Sequence, residues 1–82
     1  MTNEIKELRK ELDSLDDKIS DLIQKRVATG KKIVKLKKEA CISKDDLNRE
    51  KEILERITPG KSEIADLLKE IYGRIFDWVK NH

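Results

Sequence analysis

A stretch of almost forty residues with no proline and a single glycine constrains this chain more than any other sequence feature. It runs from about residue 3 to residue 40, and Gly30 is its glycine. Apolar residues alternate at spacings of three and four within it, at Ile5, Leu8, Leu12, Leu15, Ile19 and Leu22. This spacing is that of a heptad seam along one side of an α-helix. The pattern predicts a helix ~55 Å long, capped by Thr2 or Asn3.

A helix of this length is more than an 82-residue chain can cover alone. Charged residues make up 44% of the sequence and aromatic residues 4%, and a chain this small buries only a modest core. Glycine and proline are rare, which argues against a sheet with tight turns. We therefore expect one all-α domain over residues 1–82, with the far half of its long helix packed on a second chain.

Two shorter helices are expected after the long one. Residues 41–43 interrupt the pattern, and Ser43 is a suitable N-cap with Asp46 as its capping-box partner. The second helix should run from about residue 44 to residue 57, and Ser62 should cap a third. Apolar residues recur in these segments at Leu47, Ile53, Leu54 and Ile57, and at Ile64, Leu67, Leu68, Ile71, Tyr72, Ile75, Phe76 and Val79.

Charge and composition exclude several classes of function. The net charge is +2 and the 19 basic and 17 acidic residues are interspersed, unlike the basic stripe of a nucleic-acid binder. No apolar run approaches the ~20 residues of a membrane span, and the start lacks a signal peptide's apolar region. Cys41 is the single cysteine, so a reduced thiol and a cytoplasmic location are expected. No metal-ligand cluster or phosphate loop is visible, so no metal and no cofactor are expected.

Two basic residues lie on the seam side of the long helix. Arg26 continues the seam, where a charge is unfavourable unless it is paired or meets a ligand. Lys37 follows eleven residues later, about three turns and ~16 Å along the axis, so both side chains point the same way. Together they could grip one small ligand. Arg26 could instead set the register of a coiled coil, and Lys37 could be a solvated cation near the helix end.

Three further charged residues, Asp46, Arg49 and Glu50, share one face of the second helix. They could form part of a site or simply an intrahelical ion pair. Arg9 lies seventeen residues before Arg26, or ~25 Å along a straight helix. It could reach the same ligand only from an antiparallel second chain; otherwise it is an ordinary charge beside the seam.

Together these residues resemble the all-helical class of chorismate mutases. That family has a Leu-Arg pair near the start of a long helix, a second arginine, a lysine, and Asp-x-x-Arg-Glu opening the next helix. The chain matches this pattern without a gap through Leu8, Arg9, Arg26, Lys37, Asp46, Arg49 and Glu50. It departs where the family usually has a small polar residue at Val79 and a Gln or Glu one position after His82. This departure implies a fragment of a longer protein, a pocket completed differently, or poor activity.

The resemblance implies an intertwined homodimer of three-helix chains that converts chorismate to prephenate in phenylalanine and tyrosine biosynthesis. This Claisen rearrangement needs no cofactor. By resemblance, the catalytic residues are Arg26, Lys37 and Glu50, and the substrate-binding residues are Arg9 from the partner chain, Asp46, Arg49 and Val79. Lys37 would meet the ether oxygen, while Arg26 and the partner chain's Arg9 would hold carboxylates. Glu50 would accept from the ring hydroxyl with Asp46 nearby, and Arg49 would bond the substrate or orient Glu50.

Three other functions remain open for this scaffold at the level of sequence. An isochorismate pyruvate lyase would use a similar cationic pocket. A regulatory mutase-like domain would bind a pathway ligand with little turnover. A non-catalytic helical dimerisation module would leave the matched charges without a shared role.

Overall fold

Three α-helices and short connections make up the part of the chain that the computed structural model describes. The described residues are 2–43, 46–58, 60 and 63–82. The helices are α1 (Thr2–Glu39), α2 (Leu47–Ile57) and α3 (Ala65–Asn81). No strand occurs among these residues, so the all-α prediction is confirmed. None of the three helices combines the length and apolar character needed to cross a bilayer.

The long helix ends in a left-handed turn at Cys41, which has a φ of 57°. The amide of Ile42 donates to the carbonyl of Lys37 at 2.7 Å, and the amide of Cys41 donates to that of Lys38 at 3.2 Å. These two bonds form a Schellman cap, in which glycine is the usual left-handed residue. The cap explains why the helical pattern stops here and directs the chain away from α1.

The start of α2 differs from the sequence prediction. Asp46, rather than Ser43, is the N-cap, and the helix begins at Leu47 instead of near residue 44. The Asp46 carboxylate accepts a hydrogen bond from the backbone amide of Arg49 at 3.0 Å. A carboxylate satisfies an unpaired amide and also interacts favourably with the helix dipole, which accounts for this choice of cap. Ser62, the expected cap of α3, lies outside the described residues.

The core is small and lies where α3 packs against the other two helices. Among the described residues, only Ile53, Ile75 and Phe76 are buried. Leu47 was expected on the inner face of α2 but is 73% exposed. It lies about 120° around the helix from Ile53, so the two cannot face the same neighbour. Ile64, which caps α3, and Leu67 and Ile71 within α3 were also expected to pack but are exposed within this chain.

Among the described residues, burial of α1 by the other helices is confined to its second half. Its partly buried residues are Ile23, Arg26, Val27, Gly30, Val34 and Lys37. Apart from Arg26, which is itself a seam position, each of these residues comes directly after a position of the heptad pattern. The inner face of α1, which packs on the other helices, therefore lies beside the seam. Residues 2–22 are all exposed, and the six apolar seam residues in that half are 47–63% exposed. This half of the seam is therefore an apolar surface that no other part of the described structure covers.

Candidate active site

A cavity of about 310 Å³ lies between the second half of α1, α2 and the end of α3. Side chains from each helix form its wall: Arg26, Thr29, Gly30, Ile33, Val34 and Lys37 from α1, Arg49, Glu50, Ile53 and Arg56 from α2, with the cap residue Asp46, and Phe76, Val79 and Lys80 from α3. Six of the seven site residues expected from sequence are in this set. The seventh, Arg9, lies on the exposed half of α1, away from the cavity.

Arg26 lies against the aromatic wall of the cavity. Its guanidinium carbon is 5.3 Å from the ring centroid of Tyr72 and 5.4 Å from that of Phe76. Both distances fall within the range of cation–π attraction. Among the described residues no carboxylate pairs with Arg26, so its charge remains available to an anionic ligand.

Lys37 and Asp46 connect the end of α1 to the beginning of α2. The Lys37 ammonium lies 3.7 Å from Asp46 Oδ2, while Asp46 Oδ1 accepts the capping bond from the amide of Arg49. The Lys37 side chain is 25% exposed and that of Asp46 is 48% exposed. One carboxylate therefore both caps α2 and holds the lysine at the cavity.

Glu50 forms a polar contact between α2 and α3. Its Oε2 accepts a hydrogen bond from the Lys80 ammonium at 3.1 Å, with the two side chains 23% and 19% exposed. The sequence analysis did not identify Lys80. Its spacing of four residues from Phe76 was the available signal, because such pairs share a helix face.

The two arginines of α2 also line the cavity, and their side chains are more exposed than that of Glu50. Arg49 was expected to bond the substrate or orient Glu50, but its guanidinium lies 3.4 Å from Glu52. Both side chains of that pair are more than half exposed, so it contributes little stability. Arg56, also missed from sequence, lies seven residues after Arg49 and therefore on the same helix face.

The composition of the wall indicates what the cavity can bind. Among the described residues that line it, five are basic and two are acidic. Aliphatic and aromatic groups complete the wall: Ile33, Val34, Ile53, Phe76 and Val79. Guanidinium and ammonium groups bind carboxylates well, and the apolar side chains can contact a non-polar part of a ligand. The arrangement suits a small compound that carries carboxylates on an apolar frame.

Comparison with known proteins agrees with this chemistry. The sequence profile of the family described as chorismate mutase type II matches residues 8–82. A bifunctional chorismate mutase/prephenate dehydratase of Aquifex aeolicus (strain VF5) is 38% identical over 73 residues. The match covers 89% of this chain and 18% of the length of that relative. No solved structure matches the chain. The chain belongs to the chorismate mutase type II family.

Proposed function

We propose that this chain catalyses the rearrangement of chorismate to prephenate, a step in aromatic amino acid biosynthesis. The observation that carries the proposal is a cationic, partly apolar cavity formed by all three helices in a member of this family. Chorismate is a cyclic dicarboxylate, so its charge and shape match the wall described above. A role in aromatic amino acid biosynthesis and the exposed free thiol of Cys41 support a cytoplasmic location.

The chemistry makes modest demands on the protein. One C–O bond of the enol ether breaks while one C–C bond forms in the same molecule, and no proton is transferred. The protein must hold the two reacting ends together, which can supply much of the barrier reduction. It must also stabilise the negative charge that grows on the ether oxygen as the C–O bond breaks.

The charged residues of the wall fit these demands. Arg26 would bind one carboxylate, since its guanidinium is fixed by two aromatic rings and has no carboxylate partner among the described residues. Lys37 would donate to the ether oxygen, where a cation favours the transition state over the substrate. Glu50 would accept from the ring hydroxyl, with Asp46 and Arg49 at the same end and Val79 against the ring.

We infer further that the chain acts as an intertwined homodimer. The exposed seam of α1 is an apolar stripe of six residues that a second α1 would cover. Burying the remaining exposed half of such a side chain contributes roughly 1 kcal/mol, so the six seam residues would add stabilisation comparable to that of the three buried residues in the described part of the chain. An antiparallel partner would bring Arg9 of the partner subunit to the cavity and supply a second arginine for the substrate.

A chorismate-disappearance assay tests the proposal directly. Arg26→Ala and Lys37→Ala should each abolish turnover while circular dichroism shows nearly unchanged helicity. Lys25→Ala and Lys35→Ala are matched controls, because both residues are exposed on α1 outside the cavity and should leave turnover unchanged. Full activity in the Arg26 or Lys37 variants would contradict the proposal.

The shared site has its own test. An Arg9→Glu homodimer should be inactive, and so should an Arg26→Ala homodimer. In a heterodimer of the two variants, one site combines the intact Arg26 of the Arg9→Glu chain with the intact Arg9 of the Arg26→Ala chain. Mixing the two variants should therefore restore up to one working site per heterodimer. Absence of any recovery in verified heterodimers would argue against Arg9 acting across the interface.

A further inference from the structure

The ion pair between Lys80 and Glu50 is the least exposed ion pair in the described part of the chain. Its two side chains are 19% and 23% exposed, whereas those of the Lys25–Asp21 pair on the outer face of α1 are 72% and 62% exposed. Both charged ends of the Lys80–Glu50 pair line the cavity. Attraction between charges is stronger where water is largely excluded, so this contact fixes Glu50 more firmly than a surface pair would.

Glu50 presents a difficulty for a site that binds a dianion. An ionised carboxylate on the wall repels the carboxylates of the substrate, yet Glu50 is the acceptor proposed for the ring hydroxyl. Lys80 bonds Oε2 of this carboxylate, which leaves Oε1 as an acceptor and offsets the negative charge. The charge of Asp46, the other acid of the wall, is likewise offset by a lysine, since the Lys37 ammonium lies 3.7 Å from its Oδ2.

We propose that Lys80 is a positioning residue for the rearrangement, a role that rests on the proposed function. Its ammonium holds the Glu50 carboxylate in one orientation, so that the free oxygen meets the substrate hydroxyl. The same charge cancels the repulsion between Glu50 and the doubly negative substrate. Lys80 therefore acts through Glu50, from a helix that the sequence analysis connected to the site only through Val79.

The test is a kinetic comparison of Lys80→Gln with Lys69→Gln, a matched change at an exposed lysine of the same helix. Loss of a hydrogen bond to a charged group corresponds to a decrease in rate of roughly 10- to 100-fold. The kcat/KM of Lys80→Gln should therefore fall by about that factor. KM should rise and kcat should fall, because both affinity and orientation are affected. Lys80→Arg should recover most of the activity, and Lys69→Gln should match the wild type.

A double-variant cycle separates this role from general stabilisation. If Lys80 acts through Glu50, then adding Lys80→Gln to Glu50→Gln should reduce kcat/KM by less than about threefold. The double variant also removes both charges together, so it keeps the test valid if Lys80→Gln alone fails to fold. A loss in the Glu50→Gln background as large as that in the wild type would overturn the proposal.

The outcomes also separate this proposal from the one on which it rests. A wild-type chain that does not convert chorismate refutes the proposed function, and the role of Lys80 falls with it. An active wild type with an equally active Lys80→Gln variant refutes the role of Lys80 alone and leaves the proposed function standing.

Discussion

Gly30 allows a close approach between α1 and α3, and a comparison of two glycines tests its role. A Cβ atom added at Gly30 would lie 3.0 Å from Cγ1 and 3.2 Å from Cγ2 of Val79, whereas one added at Gly73 would meet nothing within 4 Å. Both glycines lie inside helices, where a change to alanine gains about 1 kcal/mol from helix propensity alone. The two substitutions should therefore differ only through the contact with Val79.

We expect Gly73→Ala to raise the free energy of unfolding by up to about 1 kcal/mol, or roughly 4–8 °C in Tm for a chain of this size. In Gly30→Ala the same gain is opposed by overpacking, which costs about 1–3 kcal/mol. The net effect at Gly30 should be destabilisation of roughly 0–2 kcal/mol. Because Gly30 and Val79 both line the cavity, chorismate turnover should fall as well.

Urea unfolding at one fixed protein concentration measures both variants, since the stability of an oligomer depends on concentration. Val79→Ala should remove the clash, so the double variant Gly30→Ala/Val79→Ala should lose less stability than the sum of its parts. If Gly30→Ala proved as stabilising as Gly73→Ala, the close packing of α1 on α3 and the reasoning built on it would be refuted.

Two further substitutions test the left-handed cap at the end of α1 and the exposed seam of the same helix. Cys41→Gly should raise the free energy of unfolding by roughly 1 kcal/mol, because a left-handed backbone is unfavourable for residues with a Cβ; no gain in urea unfolding would speak against the left-handed cap. Leu15→Glu should place charges within the exposed seam and shift the proposed dimer towards monomer in analytical ultracentrifugation, whereas Ser14→Glu, off the seam, should not. A Leu15→Glu protein that remained fully dimeric would show that the seam is not the interface.

The extent of α1 could be predicted from sequence because a single periodic pattern determines it. Absence of proline and regular apolar spacing predicted a helix over residues 3 to 40, close to the observed Thr2–Glu39. The face that this helix presents to α3 could not be predicted in the same way. Heptad spacing identifies the apolar stripe, but the inner face lies one residue further on, where Gly30 and Lys37 carry no apolar signal.

The candidate site was predictable where its residues belong to one ordered motif and not where tertiary packing brings them together. Arg26, Lys37 and Glu50 were identified through fixed spacings along the chain, and all three line the cavity. Lys80 and Arg56 also line it but belong to no motif, and an exposed lysine at the end of a helix is the ordinary case. The position of α3 against α2, which only the structure supplies, makes Lys80 a neighbour of Glu50.

The two ion pairs of the cavity suggest why so small a core can support a defined site. Asp46 joins the start of α2 to α1 through Lys37, and Glu50 joins α2 to α3 through Lys80. α2 is thus connected to both neighbours by charges that line the cavity, on the same side as its single buried residue, Ile53. Each lysine offsets the negative charge of its acid and is itself held in place by that acid, so the contacts that position α2 also prepare the wall for an anion. This coupling predicts that ligand binding and the packing of α2 weaken together when either pair is broken.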